Sequence, residues 1–178
     1  MSGEALRSER LLFPDAREVT TDQIGKTLLT RPTRPPLKAP ETLALEPVDW
    51  PTYTTHRIEV EAGFGVDARG ARAMVRGLRE RCARLGLVMM SAHDHQERVG
   101  AIGWFSPHPG WARLQEVDVF PAHRGHGYGD ALLAATFQHL DQNGVHTVIV
   151  GADEDDWPLS WYRRRGFEPV TRVTRSRG

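Results

Sequence analysis

The sequence predicts an α/β fold of the mixed α+β kind, and three observations carry that expectation. Apolar residues recur at helical spacing in two long runs, 66–85 and 128–142. Short runs rich in β-branched residues lie around them, at 87–94, 99–105, 113–120, 146–152 and 167–174. The polar turn HDHQER (93–98) joins the first two of these short runs and makes them an antiparallel hairpin.

Taken in order, the first 52 residues differ from the rest. Six prolines (Pro32, Pro35, Pro36, Pro40, Pro47 and Pro51) fall within twenty residues, a spacing that forbids long helices and central strands. Before them, TTDQIGKTLL (20–29) reads as a short helix capped by Thr20 or Thr21. Residues 1–52 are therefore expected to be a proline-rich arm or extension, laid on the domain or a partner or else disordered, with the regular domain at 53–178. Arg31, Arg34 and Lys38 read as a solvated linker. From residue 55 the pattern is regular. HRIEVEA (56–62) alternates like a strand. A helix then runs from Val66-Asp67 to Leu85 and stops at Gly86, and the hairpin and the strand within Trp111–Phe120 follow. After a glycine-rich loop comes a helix, Tyr128–Gln142, with Leu132, Leu133, Phe137 and Leu140 on one stripe and Gly144 past its end. HTVIVGA reads as a buried strand, DDWPLSWYRRRG as a short helix ended by Gly166, and FEPVTRVT as the last strand.

Bulk properties bound the function. With 23 basic and 23 acidic residues the formal charge is zero, so nucleic acid and anionic membranes have no electrostatic support as partners. No apolar run reaches the ~20 residues a bilayer requires. MSGEALRSER lacks a basic-then-apolar signal pattern, which predicts a cytoplasmic protein. Cys82 is the one cysteine, so neither an intrachain disulfide nor a cysteine-rich metal site is available, and a buried inert thiol is expected. His93-Asp94-His95 sits in the hairpin turn without a third placed ligand, so no metal is expected.

The informative stretch is VFPAHRGHGYGD (119–130). Amides at a helix start have no intrahelical acceptor, and the helix dipole adds partial positive charge there. Glycines at 125, 127 and 129 let a bulky anion approach those amides, and Arg124 adds a cation at the loop mouth. The dinucleotide fingerprint fails on spacing and the P-loop fails because no lysine follows. A glycine-rich turn without a ligand and a nucleotide triphosphate enzyme remain alternatives.

Two motifs resemble the GNAT superfamily of acyl-CoA-dependent N-acyltransferases. The first is Val117-Asp118-Val119-Phe120-Pro121 followed by Arg124-Gly125-His126-Gly127-Tyr128-Gly129; the second is Tyr162 followed by Gly166-Phe167. The resemblance covers 55–178 in topology and is strongest from about 112 to 170. It implies a central, mostly antiparallel twisted sheet, splayed at the cofactor strand and flanked by helices. It also implies acetyl-CoA as co-substrate, held by the loop amides of 124–129 together with Asp130, while Val117, Asp118 and Val119 meet the pantetheine arm. The family often has asparagine seven residues before the tyrosine, contacting the cofactor; here that position, and by the resemblance that contact, falls to Asp155, within Asp153-Glu154-Asp155-Asp156, a cluster that either attracts a cationic amine or caps the next helix.

The chemistry sets three needs. The amine must lose a proton, the oxyanion wants an N–H donor such as the Val119 amide, and the thiolate wants a proton. By the resemblance Tyr162 is the proton donor, since a phenol near ~10 can protonate a sulfur whose thiol titrates near ~8.5. Glu116 is the expected base, although members with a carboxylate pair have an acid where Gln115 stands here. Among Arg163, Arg164 and Arg165, at least two are expected to face solvent. The expected function is acetyl transfer to a small-molecule or protein amine by direct attack in a ternary complex. The alternative is a non-catalytic acyl-CoA-binding sensor. Whether the chain forms a homodimer stays open.

Overall fold

The structure is a computed structural model that describes residues 1–19 and 25–174. Its elements are α1 (Ser2–Leu12), β1 (Arg17–Glu18), β2 (Lys26–Pro32), β3 (Ala44–Pro47), α2 (Trp50–Ala62), α3 (Ala68–Leu85), β4 (Val88–Asp94), β5 (Glu97–Phe105), β6 (Trp111–Val119), a 3-10 turn (Pro121–His123), α4 (Tyr128–Gln142), β7 (Thr147–Asp153), α5 (Trp157–Arg163) and β8 (Glu168–Thr174). Among the described residues the strands join in the order β1-β8-β2-β7-β6-β5-β4-β3. Pairing is antiparallel for β1 with β8, β2 with β7 and β8, β3 with β4, and β4 with β5, and parallel for β6 with β7. This is the mixed, mostly antiparallel sheet that the sequence predicts. No helix among the described residues is long and apolar enough to cross a membrane.

The chain divides into two compact units, and β6 contributes to both. The first gathers Met1–Pro35, Ser106–Leu114 and Leu140–Gly178. Its centre is β2, which pairs with β7 from Lys26↔Asp153 to Pro32↔Thr147 and with β8 on its other side. Leu28 and Leu29 are fully buried there. Helix α1 lays Ala5 and Leu6 on a cluster of Leu28, Trp111, Ile149 and Val173. Beside that cluster, Arg113 Nη2 donates to Glu9 Oε2 at 2.6 Å, and both side chains are almost wholly out of water.

These findings correct two local readings within the first 52 residues. Residues 26–29, read as part of a helix, lie in a strand with neighbours on both sides; the Thr20 or Thr21 cap lies outside the described residues. The proline spacing misled because the prolines stand where pairing stops. Pro32 is the last residue of β2, and Pro47 is the last of β3, the terminal strand in the order above. Nor do Arg31 and Arg34 belong to a solvated linker, whereas Lys38 is exposed. Arg31 is buried and donates to the Pro32 and Pro35 carbonyls at 2.9 and 2.8 Å. Arg34 forms a two-pronged bond to Asp141 at 2.8 and 3.0 Å.

The second unit comprises Pro36–Phe105 and Gln115–His139. The hairpin β4–β5 and the helix α3 stand where the sequence places them, and Asp67 caps α3 by accepting from the Gly70 amide at 2.7 Å. HRIEVEA is the exception: it belongs to α2. The deciding residues lie upstream, where Asp49 accepts from the Thr52 amide at 3.1 Å and Pro51 sits in the first turn. The helix then places Arg57 four residues after Tyr53, with Val60 and Glu61 three and four residues further on, and three of them, Tyr53, Val60 and Glu61, are buried.

The pair Glu9–Arg113 yields a stability prediction. Removing one partner of a buried ion pair strands the other, at a cost of about 3–5 kcal/mol. Glu9→Ala is expected to lower stability by that order in chemical denaturation, whereas Glu4→Ala, exposed on the same helix, should change it by less than ~0.5 kcal/mol.

Candidate functional site

The second unit holds the end of β6, the glycine loop and the start of α4. The first four residues of β6 are buried, whereas Gln115–Val119 are half-exposed. Glu116 has φ of 50°, a left-handed conformation that costs a non-glycine residue about 1–3 kcal/mol and breaks the strand's alternation. Its carboxylate accepts from Arg81 Nη2 of α3 at 3.2 Å. Asp118 is more heavily engaged: Oδ2 accepts from Arg57 Nη1 at 3.1 Å and Oδ1 from Arg124 Nη2 at 3.3 Å. Arg57 also bonds Glu61. Burial acts to depress Arg57, but the fields of Tyr53, Glu116, Asp118 and Glu61 outweigh it and leave the guanidinium above its ordinary value. Burial, and then the field of Glu116, raises the Tyr53 phenol well above the usual range. Burial also pushes the half-buried Cys82 thiol up. β5 comes close here: a Cβ at Gly100 would stand 2.5 Å from the Asp118 carbonyl oxygen.

Beyond β6 the chain turns through Pro121–His123 into an exposed loop. Gly125 and Gly127 have φ of 81° and 83°, so a side chain at either position is strained irrespective of space. Among the described residues, the amides of Gly125, His126, Gly127, Tyr128 and Gly129 have no acceptor, whereas the Asp130 and Ala131 amides donate to Gly127 O at 3.0 and 3.2 Å. Asp130, predicted as a cofactor contact, thus has its amide engaged inside the turn. The Tyr128 hydroxyl donates to Asp94 at 2.6 Å, tying the hairpin turn to α4; that bond raises the phenol to about 12. Arg124 does not project freely. Its Nε donates to Val119 O at 2.9 Å in addition to the Asp118 bond. His126 is exposed, and no group of three metal-ligating side chains occurs among the described residues. Five free amides at the start of a fifteen-residue helix, reached over bare glycine backbone, fit the diphosphate of coenzyme A.

The first unit holds Asp155 and Tyr162. Tyr162 is buried, its ring edge-on to Phe167 at 5.2 Å and to Trp161 at 4.9 Å. Burial pushes its phenol up to about 12, and the Arg113 charge opposes part of that rise. The acidic run has largely structural duties. Glu154 accepts from Arg172, Gly25 and Thr27, Asp156 caps α5, and Asp155 is exposed. Arg165 packs on the Trp161 ring, and Arg163 and Arg164 are exposed.

Residues 86–169, just under half the chain, match the family model described as an acetyltransferase (GNAT) domain. That stretch is similar to GNAT acetyltransferase domains. It is 35% identical over 83 residues to a mycothiol acetyltransferase of Arthrobacter sp. strain FB24, covering 43% of this chain and 26% of that protein. It is 31% identical over 90 residues to one from Kocuria rhizophila, covering 47% and 30%. The match thus spans less than a third of these curated relatives. A tandem GNAT protein from the clavulanic acid biosynthesis pathway shares the fold, with a TM-score of 0.61 at 18% identity over 89% of this chain and 53% of that one. A conserved protein of Staphylococcus epidermidis, described as functionally unknown, superposes with a TM-score of 0.67 at 15% identity, covering 89% of this chain and 67% of that one.

Sequence reasoning missed four residues around the β6 carboxylates: Tyr53, Arg57, Glu61 and Arg81. The signal that would have found the first three is the Asp49-Trp-Pro-Thr52 start, which marks a helix and places them on one face.

Three outcomes follow. Gly127→Ala adds a Cβ at positive φ and 3.2 Å from Pro40 Cγ; it should cost about 1–2 kcal/mol in stability and weaken coenzyme A binding in calorimetry. At Gly125 nothing lies within 4 Å, so Gly125→Ala should show the backbone cost alone. Glu154 is held down to about 2, chiefly by the Arg172 bond, against an ordinary value of 4.5. A depressed carboxyl contributes stability above its unfolded value and loses it as pH falls through the folded one. Glu154→Gln should therefore be less stable than the parent in denaturation above pH 4.5, and the two should converge as pH falls towards 2.

Proposed function

We propose that this chain is a cytoplasmic N-acetyltransferase that moves the acetyl group of acetyl-CoA to a primary amine by direct attack in a ternary complex. The observation that carries this reading is the set of acceptor-free amides from Gly125 to Gly129 over a backbone that glycine alone adopts without strain. The loop orients the diphosphate, so the thioester is placed by contacts remote from the reacting carbon.

The amine nitrogen attacks the thioester carbonyl, the C–N bond forms and the C–S bond breaks. Glu116 takes the proton the amine must lose. Of the two β6 carboxylates it is the better base, because Asp118 has both oxygens on guanidiniums whereas Glu116 is held by one bond from a half-exposed arginine. The Val119 amide serves the developing oxyanion. Tyr162 serves the departing sulfur. A phenol at about 12 stays protonated at neutral pH, which favours a hydrogen bond to the thiolate over complete transfer. The names of the curated relatives put mycothiol-related acceptors at the head of the panel to be tested, beside small amines and protein amines.

Tyr162→Phe should lower kcat about ten- to a hundredfold while the calorimetric Kd for acetyl-CoA stays near the parent value; equal turnover removes the tyrosine from the chemistry. In the parent, kcat should rise with pH as the amine loses its proton and should not descend before roughly pH 10, because the Tyr162 phenol lies higher, at about 12.

A further inference from the structure

The second unit carries an unbroken line of charge-assisted hydrogen bonds that the chemistry above does not use. It starts on α2, where Glu61 bonds Arg57, and continues from Arg57 Nη1 to Asp118 Oδ2 at 3.1 Å and from Asp118 Oδ1 to Arg124 Nη2 at 3.3 Å. It ends where Arg124 Nε donates to the Val119 carbonyl at 2.9 Å. The line is graded in burial. The Glu61, Arg57 and Asp118 side chains are 8%, 15% and 14% exposed, whereas Arg124 is 49% exposed.

That grading separates the roles. Arg57 and Asp118 are shielded from solvent, so their attraction is little screened and their geometry is fixed from two sides. Arg124 is anchored at Nε and Nη2, and its Nη1 makes no bond among the described residues. A guanidinium is a planar fork, so fixing one edge fixes the direction of the other. An arginine left to itself loses rotamer freedom when it grips a ligand; one already clamped does not, and binding is tighter for it.

We infer that Asp118, held by Arg57 of α2, is a positioning residue that aims the free edge of Arg124 at the diphosphate of acetyl-CoA. This inference rests on the acetyl-CoA reading of the loop. It takes the Asp118 side chain out of direct cofactor contact and places it behind Arg124.

The test is calorimetry of acetyl-CoA on the intact chain, with circular dichroism confirming the fold of each variant at the same temperature, and steady-state rates on the best amine of the panel. Asp118→Asn keeps size but cannot accept from both guanidiniums. It should weaken acetyl-CoA about tenfold, equivalent to about 1.4 kcal/mol, raise KM for acetyl-CoA in proportion and leave kcat within roughly twofold. Arg124→Gln should weaken binding by a similar factor, and the double variant should be no worse than either single one. Arg57→Lys, which keeps the charge but loses the fork, should fall between parent and Asp118→Asn; it carries the test if Asp118→Asn does not fold. Parental affinity in Asp118→Asn or in Arg57→Lys, or additive losses in the double variant, overturns the inference. A parent chain that gives no heat with acetyl-CoA overturns the proposed function instead, whatever the variants do.

Discussion

Around the end of β6 the second unit must balance charge with little help from water. Three carboxylates (Glu61, Glu116, Asp118) and three guanidiniums (Arg57, Arg81, Arg124) meet there, and most are largely shielded. An unpaired charge in that setting is costly, so each must find a partner of opposite sign. Helices α2 and α3 deliver Arg57 and Arg81, the strand delivers its two acids, and the loop returns Arg124 to the strand it has just left. The position of the glycine loop is thus set by electrostatics acting on its first residue, not by the glycines, which fix only its internal path.

Strain and close approach concentrate at the same place. The left-handed backbone at Glu116 is expensive for a non-glycine residue, and its side chain is held there by a bond from Arg81. Glycine at 100 lets β5 approach the Asp118 carbonyl more closely than any side chain would permit. Together these features turn an alternating strand into a segment whose successive acids serve different helices. That division of labour underlies the proposed chemistry: one carboxylate lightly held and open to a substrate proton, the other committed to holding an arginine.

The first unit solves a different problem. Its sheet is completed by β2 from near the start of the chain, inserted between β7 and β8, and α1 covers it while burying Glu9 against Arg113. The proposed proton donor, Tyr162, lies in this unit under the influence of the Arg113 charge.

What the sequence determined by itself was local. Alternating glycines before an apolar helical stripe specify a turn with free amides, because glycine alone adopts those angles without strain and the first N–H groups of a helix have no intrahelical acceptor. Helices α3 and α4 and the β4–β5 hairpin were legible for the same reason: cap, stripe and turn lie within a few residues of one another. HRIEVEA was misread because its alternation is a two-residue signal, whereas the Asp49 cap and the i, i+4 pairing of Arg57 with Glu61 belong to a longer element. Only the tertiary structure decided which charges meet, that Arg31 and Arg34 are engaged, and that residues 26–32 form a strand between two others. Those outcomes rest on contacts between residues far apart in the chain, as between Arg34 and Asp141, 107 positions apart, and no local pattern encodes the partner that removes a given charge or strand edge from water.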